Sequence, residues 1–131
     1  MGKPCVLLVE DEPMVSKVVG QLLDEAGYEH VSIADHKQIA AAILRWKPQC
    51  IILDSDPGSA GHERSWADAA AIRRAHPELP VLMFTADPAA TAEAKAGTSA
   101  RSKAAGYAGV LDKPFLVLEF LATLKHAVDK P

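Results

Sequence analysis

Five short apolar runs are spaced along the chain, and together they predict a buried β-sheet. Four runs consist mainly of Val, Ile, Leu and other apolar residues with little polar alternation, which is typical of strands covered on both faces of a parallel sheet. The second run mixes polar and apolar residues and predicts an edge strand. The runs are residues 5–9, 28–34, 50–53, 81–84 and 107–111.

Apolar residues at helical spacing separate these runs. The spacing predicts amphipathic helices over residues 13–26, 36–46, 63–75 and 115–128. The predicted helix stripes include Val18 and Val19 on the first helix, Ile43 and Leu44 on the second, and Leu118 and Leu124 on the last. Trp46 and Trp66 are interpreted as packing on the sheet. Strands that alternate regularly with helices predict an α/β fold, a doubly wound (βα)5 three-layer sandwich around a five-stranded parallel sheet.

The segment before the fifth strand is the weakest helical prediction. Residues 87–106 are rich in alanine and contain no large apolar residue. Gly97 and the two hydroxyl residues after it lower helix stability, and glycine alone costs about 1 kcal/mol relative to alanine. Two alternatives remain open for this segment, a long mobile loop followed by a short helix or two helical pieces.

Composition narrows the classes of protein. The 131 residues fit one domain, 1–131, with no further output domain. The net charge of −3 and the lack of clustered Lys and Arg disfavour direct binding to nucleic acid. The first apolar run is too short for a signal peptide or a membrane span, which favours a cytoplasmic protein with no membrane partner. Cys5 and Cys50 form no CxxC pair and are interpreted as small buried apolar residues.

Charged and polar residues follow the predicted strands at the end where open parallel sheets bind ligands. They are Glu10 and Asp11 after the first strand, Asp54 after the third, Thr85 after the fourth and Lys113 after the fifth. Converging carboxylates repel one another unless a cation lies among them, and an oxygen-rich acidic cluster suits Mg²⁺. The pattern predicts a metal site where Asp54 can attack a phosphoryl group while Lys113 neutralises its charge.

Four segments around these residues resemble the response-regulator receiver family. They are VLLVEDEP at 6–13, IILD at 51–54, HPELPVLMFTA at 76–86 and LDKPF at 111–115. The resemblance covers essentially the whole chain. It implies a flavodoxin-like sheet of order 2-1-3-4-5 and a phosphorylation-dependent switch of a two-component system.

The resemblance also implies a role for each site residue. Asp54 resembles the phospho-acceptor, and Thr85 and Lys113 resemble the switch residues. The implied ligands of Mg²⁺, for which Mn²⁺ is a substitute, are the side chains of Glu10, Asp11 and Asp54 and the main-chain carbonyl of Asp56. Such a domain is no enzyme for a separate substrate, although it catalyses its own phosphotransfer and slow autodephosphorylation. Its implied partners are a sensor histidine kinase or a histidine phosphotransfer protein and an unidentified downstream protein, and a homodimer remains open.

The sequence departs from the family pattern in the loop after the acceptor. Pro57 stands one position earlier than the usual loop proline, which indicates a one-residue deletion. Asp56 adds a carboxylate where many family members carry a neutral side chain. Both changes raise the alternative of a degenerate receiver that only binds partners.

Two further departures lie nearer the end of the chain. Val110 occupies the position of the aromatic that rotates in the family switch, and Tyr107 is not an evident substitute. The segment between Thr85 and Lys113 is longer than in compact family members, and such insertions normally fall in loops. We therefore expect an unusual partner, or an altered surface for an ordinary one.

Two other interpretations complete the sequence picture. Asp54-Ser55-Asp56 resembles the DxD motif of haloacid-dehalogenase-type phosphatases, but it follows the third strand, and no acidic pair follows Lys113. The histidines show no metal-ligand spacing and are predicted to be solvated at the surface; they are His30, His36, His62, His76 and His126.

Overall fold

The sheet has the predicted order and direction. The computed structural model describes residues 2–55 and 61–129, without the side chains of residues 61 and 62, so Asp56, Pro57 and the His62 side chain lie outside it. Five parallel strands are arranged in the order β2-β1-β3-β4-β5. They are β1 (Cys5–Val9), β2 (Glu29–Ile33), β3 (Cys50–Asp54), β4 (Val81–Thr85) and β5 (Gly109–Asp112). The mixed second strand is an edge strand, as predicted.

Helices connect the strands and cover both faces of the sheet. They are α1 (Pro13–Glu25), α2 (Ile39–Trp46), α3 (Gly61–Ala75), α4 (Pro88–Ala96), α5 (Ala100–Ala105) and α6 (Val117–Asp129), with a 3-10 turn at His36–Gln38 before α2. The alanine-rich segment forms two helical pieces, so the long-loop alternative is wrong. Gly97 ends α4 with a positive φ of 66°, and the Ser99 hydroxyl accepts the N–H of Ser102 to start α5.

The α1/α6 layer, which consists of α1 and α6, covers one face of the sheet with apolar side chains. Val19 and Leu23 of α1 and Phe120 and Leu124 of α6 pack against the strands. Three phenylalanine rings meet at the α6 end of this layer, where the centroid distances are 6.2 Å for Phe84–Phe115, 6.0 Å for Phe84–Phe120 and 4.9 Å for Phe115–Phe120. The layer is a dry apolar core.

The predicted stripe of α6 is right at Leu124, which is fully buried, but wrong at Leu118. Leu118 is 82% exposed, whereas Phe120, which the stripe left out, is 1% exposed. In α1, Val19 is fully buried as predicted, but Val18 is 48% exposed. Apolar residues occupy both flanks of these helices, so the sequence period alone does not select the flank that meets the sheet.

The α2–α5 layer, which consists of α2, α3, α4 and α5, covers the opposite face. Trp66 of α3 is 3% exposed and packs on the sheet as predicted. Leu44 and Trp46 of α2 were predicted to face the sheet, but they are 70% and 44% exposed. Ala42 takes the sheet-facing position instead, because a small residue lets α2 lie close to the strands.

A tight contact joins α3 to the end of α5. The guanidinium of Arg73 donates to the main-chain carbonyl of Lys103 at 2.8 Å. Gly106, which ends α5 with a positive φ of 57°, lies beneath this side chain. A Cβ at position 106 would stand 2.0 Å from Nη1 of Arg73. The positive φ favours glycine at this position, and a side chain there would displace the flexible end of Arg73 from its bond to Lys103.

The cysteines and two of the histidines differ partly from the sequence interpretation. Cys50 is buried, and desolvation raises the pKa of its thiol to about 12, but Cys5 is only half-buried. His30 and His36 are partly buried in pairs with carboxylates, so their prediction as solvated residues is wrong. His30 Nε2 lies 3.0 Å from Asp24, and His36 Nδ1 lies 2.5 Å from Asp68. In residues 2–55 and 61–129, no helix is long and apolar enough to cross a membrane.

Candidate functional site

The acidic end of β1 is held by the main chain around it. The N–H of Glu10 donates to the carbonyl of Ile33 at 3.0 Å, which continues the β1–β2 pairing past the strand. The Glu10 carboxylate turns inward, is fully buried, and accepts the N–H of Glu12 at 3.1 Å. The next residue, Asp11, is exposed at the same rim. Of the two adjacent acids, Glu10 is therefore buried inside the site and Asp11 is exposed at its rim.

Asp54 and Lys113 meet Glu10 inside the rim. Asp54, the last residue of β3, is 7% exposed. The ammonium of Lys113 lies 2.8 Å from Oδ1 of Asp54 and 2.8 Å from Oε1 of Glu10. The same ammonium stands 4.5 Å from the centroid of the Phe84 ring, which adds a cation–π attraction. One cation thus bridges two buried carboxylates, which offsets part of their desolvation.

A divalent cation fits the remaining charge of the cluster. Glu10, Asp11 and Asp54 each offer an oxygen, and these oxygens lie within 4.8 Å of one another. Three carboxylates and one ammonium leave an excess of negative charge at the rim. Oxygen ligands with one exposed member suit Mg²⁺, which keeps several waters. The implied main-chain ligand at Asp56 lies outside the described residues.

Thr85 lies beside this cluster at the end of β4 and is 1% exposed. Its hydroxyl oxygen accepts the N–H of Asp87 at 3.0 Å, and its main-chain carbonyl accepts the N–H of Lys113 at 2.9 Å. A groove lined by Thr85, Ala86, Thr91 and Lys113 opens beside it. Ala86 is the smallest of these four lining residues. A larger groove runs along residues 76–80, away from the acidic cluster.

Two buried serines next to the site were missed by the sequence reasoning. Ser55 and Ser65 are fully buried, and their hydroxyl oxygens are 2.7 Å apart. The N–H of Ser55 also donates to the carbonyl of Phe84 at 2.8 Å. The only sequence signal for Ser55 is its position after the acceptor candidate, and Ser65 lies ten residues on in a helix with no motif.

The two candidate switch positions, Val110 on β5 and Tyr107 just before it, have different surroundings. Val110 is partly buried and packs in the α2–α5 layer. The Tyr107 hydroxyl donates to the main-chain carbonyl of Ser65 at 3.2 Å, and its ring meets Trp66 edge-on with centroids 5.4 Å apart. Burial raises the pKa of Tyr107, so this hydroxyl stays protonated and remains a donor.

Comparisons with known proteins agree with this architecture. The model of the response regulator receiver domain matches residues 6–125. Transcriptional regulatory protein TcrA of Mycobacterium tuberculosis is 33% identical over 92% of the chain and 44% of its own length. Phosphate regulon transcriptional regulatory protein PhoB of Pseudomonas aeruginosa is 28% identical over 92% of the chain and 49% of its own length. The chain therefore spans about half the length of these regulators or less.

A solved structure matches over nearly the whole chain. Chemotaxis protein CheY4 of Vibrio cholerae is 27% identical and has a TM-score of 0.80, and the match covers 96% of this chain and 99% of that one. Phosphorylation and Mg²⁺ binding are general properties of the family. With the family match over residues 6–125 and the strand order 2-1-3-4-5, the chain belongs to the receiver domains of two-component response regulators.

Proposed function

We propose that this receiver domain accepts a phosphoryl group on Asp54 in the presence of Mg²⁺ and thereby acts as a signalling switch. One observation carries the proposal: the Lys113 ammonium lies 2.8 Å from both Asp54 and Glu10, with Asp11 at the mouth of the same cluster. A nucleophilic carboxylate, a cation for the transferred oxygens and an acidic metal site are the parts that phosphoryl transfer to aspartate needs.

The transfer step follows from the positions of the side chains. Oδ of Asp54 forms a bond to phosphorus while the bond from phosphorus to the donor atom breaks, and the leaving group takes the electron pair. The Lys113 ammonium, which contacts the carboxylates before transfer, binds a negatively charged phosphoryl oxygen after it. Thr85 donates its hydroxyl proton to another phosphoryl oxygen, since its oxygen accepts from Asp87 and its proton remains available as a donor. These groups stabilise the charge that develops during transfer.

The proposed metal ligands are the carboxylates of Glu10, Asp11 and Asp54 and the main-chain carbonyl of Asp56. Bound Mg²⁺, or Mn²⁺ in its place, supplies positive charge that lets a phosphoryl group approach an acidic site. In the same site, water slowly hydrolyses the acyl phosphate, so the domain resets itself. It catalyses these two reactions on itself and acts on no separate substrate.

The proposed partners follow from the family. A sensor histidine kinase or a histidine phosphotransfer protein supplies the phosphoryl group. The matched regulators TcrA and PhoB are transcriptional regulators, so control of transcription through a further protein or domain is one proposed output. Residues 1–131 act as one receiver unit in this scheme, and a homodimer is the other proposed association.

Intact mass spectrometry tests the proposal. The chain is incubated with acetyl phosphate, with and without Mg²⁺, and is compared with Asp54→Asn. We expect a Mg²⁺-dependent gain of one phosphoryl group in the native chain and none in Asp54→Asn. The matched control is Asp24→Asn, which makes the same change on α1 and should leave the gain intact. A folded native chain that gains no mass under any condition would instead be a degenerate receiver that only binds partners.

A further inference from the structure

The residue after the acceptor is held from two sides. The N–H of Ser55 donates at 2.8 Å to the carbonyl of Phe84, which directly precedes Thr85 on β4. On its other side, the Ser55 hydroxyl lies 2.7 Å from the Ser65 hydroxyl of α3. A shift of Asp54 or Thr85 on phosphorylation therefore moves Ser55, and Ser55 cannot move without stretching or breaking a bond to α3.

Ser65 also contacts Tyr107, which lies between α5 and β5. Its main-chain carbonyl accepts the Tyr107 hydroxyl at 3.2 Å. The Tyr107 ring meets the ring of Trp66, the next residue of α3, at 5.4 Å and an interplanar angle of 70°. One hydrogen bond and one ring contact thus couple the position of Tyr107 to that of α3.

Trp66 in turn contacts the surface formed by α4 and α5. The Arg101 guanidinium of α5 stands 5.0 Å from the Trp66 ring centroid. Its Nε and Nη2 donate to the two oxygens of Glu93 on α4, both at 2.6 Å. The Ser99 hydroxyl donates to Glu93 at 2.7 Å, and Arg101 Nη1 lies 3.7 Å from Glu63 of α3. These contacts tie α4, α5 and α3 into one unit.

The contacts that run from Ser55 through Ser65 to Trp66 can adopt two alternative arrangements. Ser55 and Ser65 are fully buried, so breaking the bond between their hydroxyls costs free energy unless each hydroxyl finds another partner, and this favours discrete arrangements. The indole N–H of Trp66 is buried and has no hydrogen-bond partner within residues 2–55 and 61–129. A rearrangement that supplies an acceptor to this N–H recovers part of the free energy that breaking the serine pair costs.

On the basis of the proposed function, we propose that phosphorylation of Asp54 is transmitted to the α4–α5 surface through Ser55, Ser65 and Tyr107. This route takes the place of an aromatic at position 110. Val110 has no polar side-chain atom and cannot form a hydrogen bond with Thr85. Tyr107 lies on the same side of the molecule, and its hydroxyl is already bonded to the residue that holds Ser55.

Hydrogen exchange of residues 88–105, followed by mass spectrometry with and without acetyl phosphate and Mg²⁺, tests the route. Intact mass is measured on the same samples. We expect phosphorylation to change the exchange rates in α4 and α5 of the native chain by about fivefold or more, the lower end of typical coupling between sites. Tyr107→Phe removes the tyrosine hydroxyl, and Ser65→Ala removes the serine hydroxyl that contacts Ser55. Both should gain the phosphoryl group but respond by less than about twofold.

Tyr28→Phe is the matched control, since it removes a tyrosine hydroxyl from a partly buried site in the α1/α6 layer. It should respond like the native chain. A native response that persists in Tyr107→Phe overturns the inference, as does a phosphorylated native chain with no change in α4 and α5. Absence of any mass gain in the native chain overturns the proposed function and this inference with it. Tyr107→Phe keeps the ring and its packing, so the test stands even where Ser65→Ala fails to fold.

Discussion

The α1/α6 layer and the α2–α5 layer cover the same sheet but are held to it by different kinds of contact. In the α1/α6 layer the buried helical side chains are apolar, and the three phenylalanines lie within 6.2 Å of one another. In the α2–α5 layer, buried Ser65 and Ser102 form hydrogen bonds, and Arg101 binds Glu93 at its edge. The α1/α6 layer is held by apolar packing, whereas the α2–α5 layer is held by apolar packing together with directional hydrogen bonds.

This difference separates stability from response. Apolar contacts are individually weak and non-directional, so they offer no exchange of partners that would by itself define a second arrangement. Hydrogen bonds and ion pairs can exchange partners, so a layer that contains them can switch between discrete arrangements. We therefore expect the α1/α6 layer to set the free energy of unfolding and the α2–α5 layer to express the change at Asp54.

The largest expected effect tests the dry layer. Phe120→Ala removes a ring that is 1% exposed and contacts two other phenylalanines, so we expect the free energy of unfolding to fall by about 3–5 kcal/mol. Urea denaturation measures it. Leu118→Ala, two residues away on the same helix and 82% exposed, should change it by less than about 0.5 kcal/mol. Equal effects of the two changes would contradict the assignment of the buried flank.

A prediction of intermediate size concerns the pH dependence of stability, which tests whether water reaches Cys50 in the same layer. Burial raises the pKa of Cys50 from 9.0 to about 12, so the folded state holds the proton more tightly than the unfolded state. The resulting stabilisation is complete below pH 9.0 and is lost as the pH rises towards about 12. At about pH 10.5 the loss amounts to about 2 kcal/mol.

Urea denaturation at several pH values compares the native chain with Cys50→Ala, in which this loss should disappear from the pH profile. Cys5→Ala is the matched control, since Cys5 is only half-buried and should leave most of the profile unchanged. A profile for Cys50→Ala that is parallel to the native one would show that water reaches the thiol.

The smallest expected effect tests the polar layer. Arg101 is 43% exposed, and its pKa is raised chiefly by the hydrogen bonds to Glu93. After allowance for solvent screening, Arg101→Ala should lower the free energy of unfolding by about 0.5–1 kcal/mol, and less at high salt. In the α1/α6 layer, Lys125→Ala breaks an exposed pair with Asp129 and should leave the urea midpoint unchanged. A salt-independent loss in Arg101→Ala would point to packing on Trp66 rather than to charge.

Local patterns in the sequence predicted the strands and the ends of most helices. Runs such as Ile51–Ile52–Leu53 are apolar because both faces of β3 are covered, and the period of two or of 3.6 residues records such burial. The convergence of the candidate site residues at one edge of the sheet was predictable for the same reason. Glu10, Asp54 and Thr85 directly follow such runs, and a parallel sheet brings strand ends together at one edge.

Contacts between distant residues left no comparable pattern. The pair Ser55 and Ser65 and the pair Tyr107 and Ser65 join residues 10 and 42 positions apart, and serine or tyrosine at those positions is compatible with many structures. On α6, Leu124 was assigned to the buried flank correctly and Leu118 was not, because Leu118 is as apolar as Phe120 and only the position of the sheet distinguishes them. Polar partners inside a layer are a tertiary property, which single-residue propensities do not contain.

The contact of Gly106 with Arg73 restricts how this sequence can diverge. Alanine at position 106 is disfavoured by the positive φ of 57°. The guanidinium that would stand 2.0 Å from its Cβ is the far end of a flexible side chain, so Arg73 can move aside, but it then loses its bond to the carbonyl of Lys103. Asparagine tolerates the backbone conformation better than alanine does, and it displaces Arg73 in the same way. Any side chain at 106 therefore removes the contact for which Arg73 is placed. In descendants of this chain, the residues at 73 and 106 should therefore vary together.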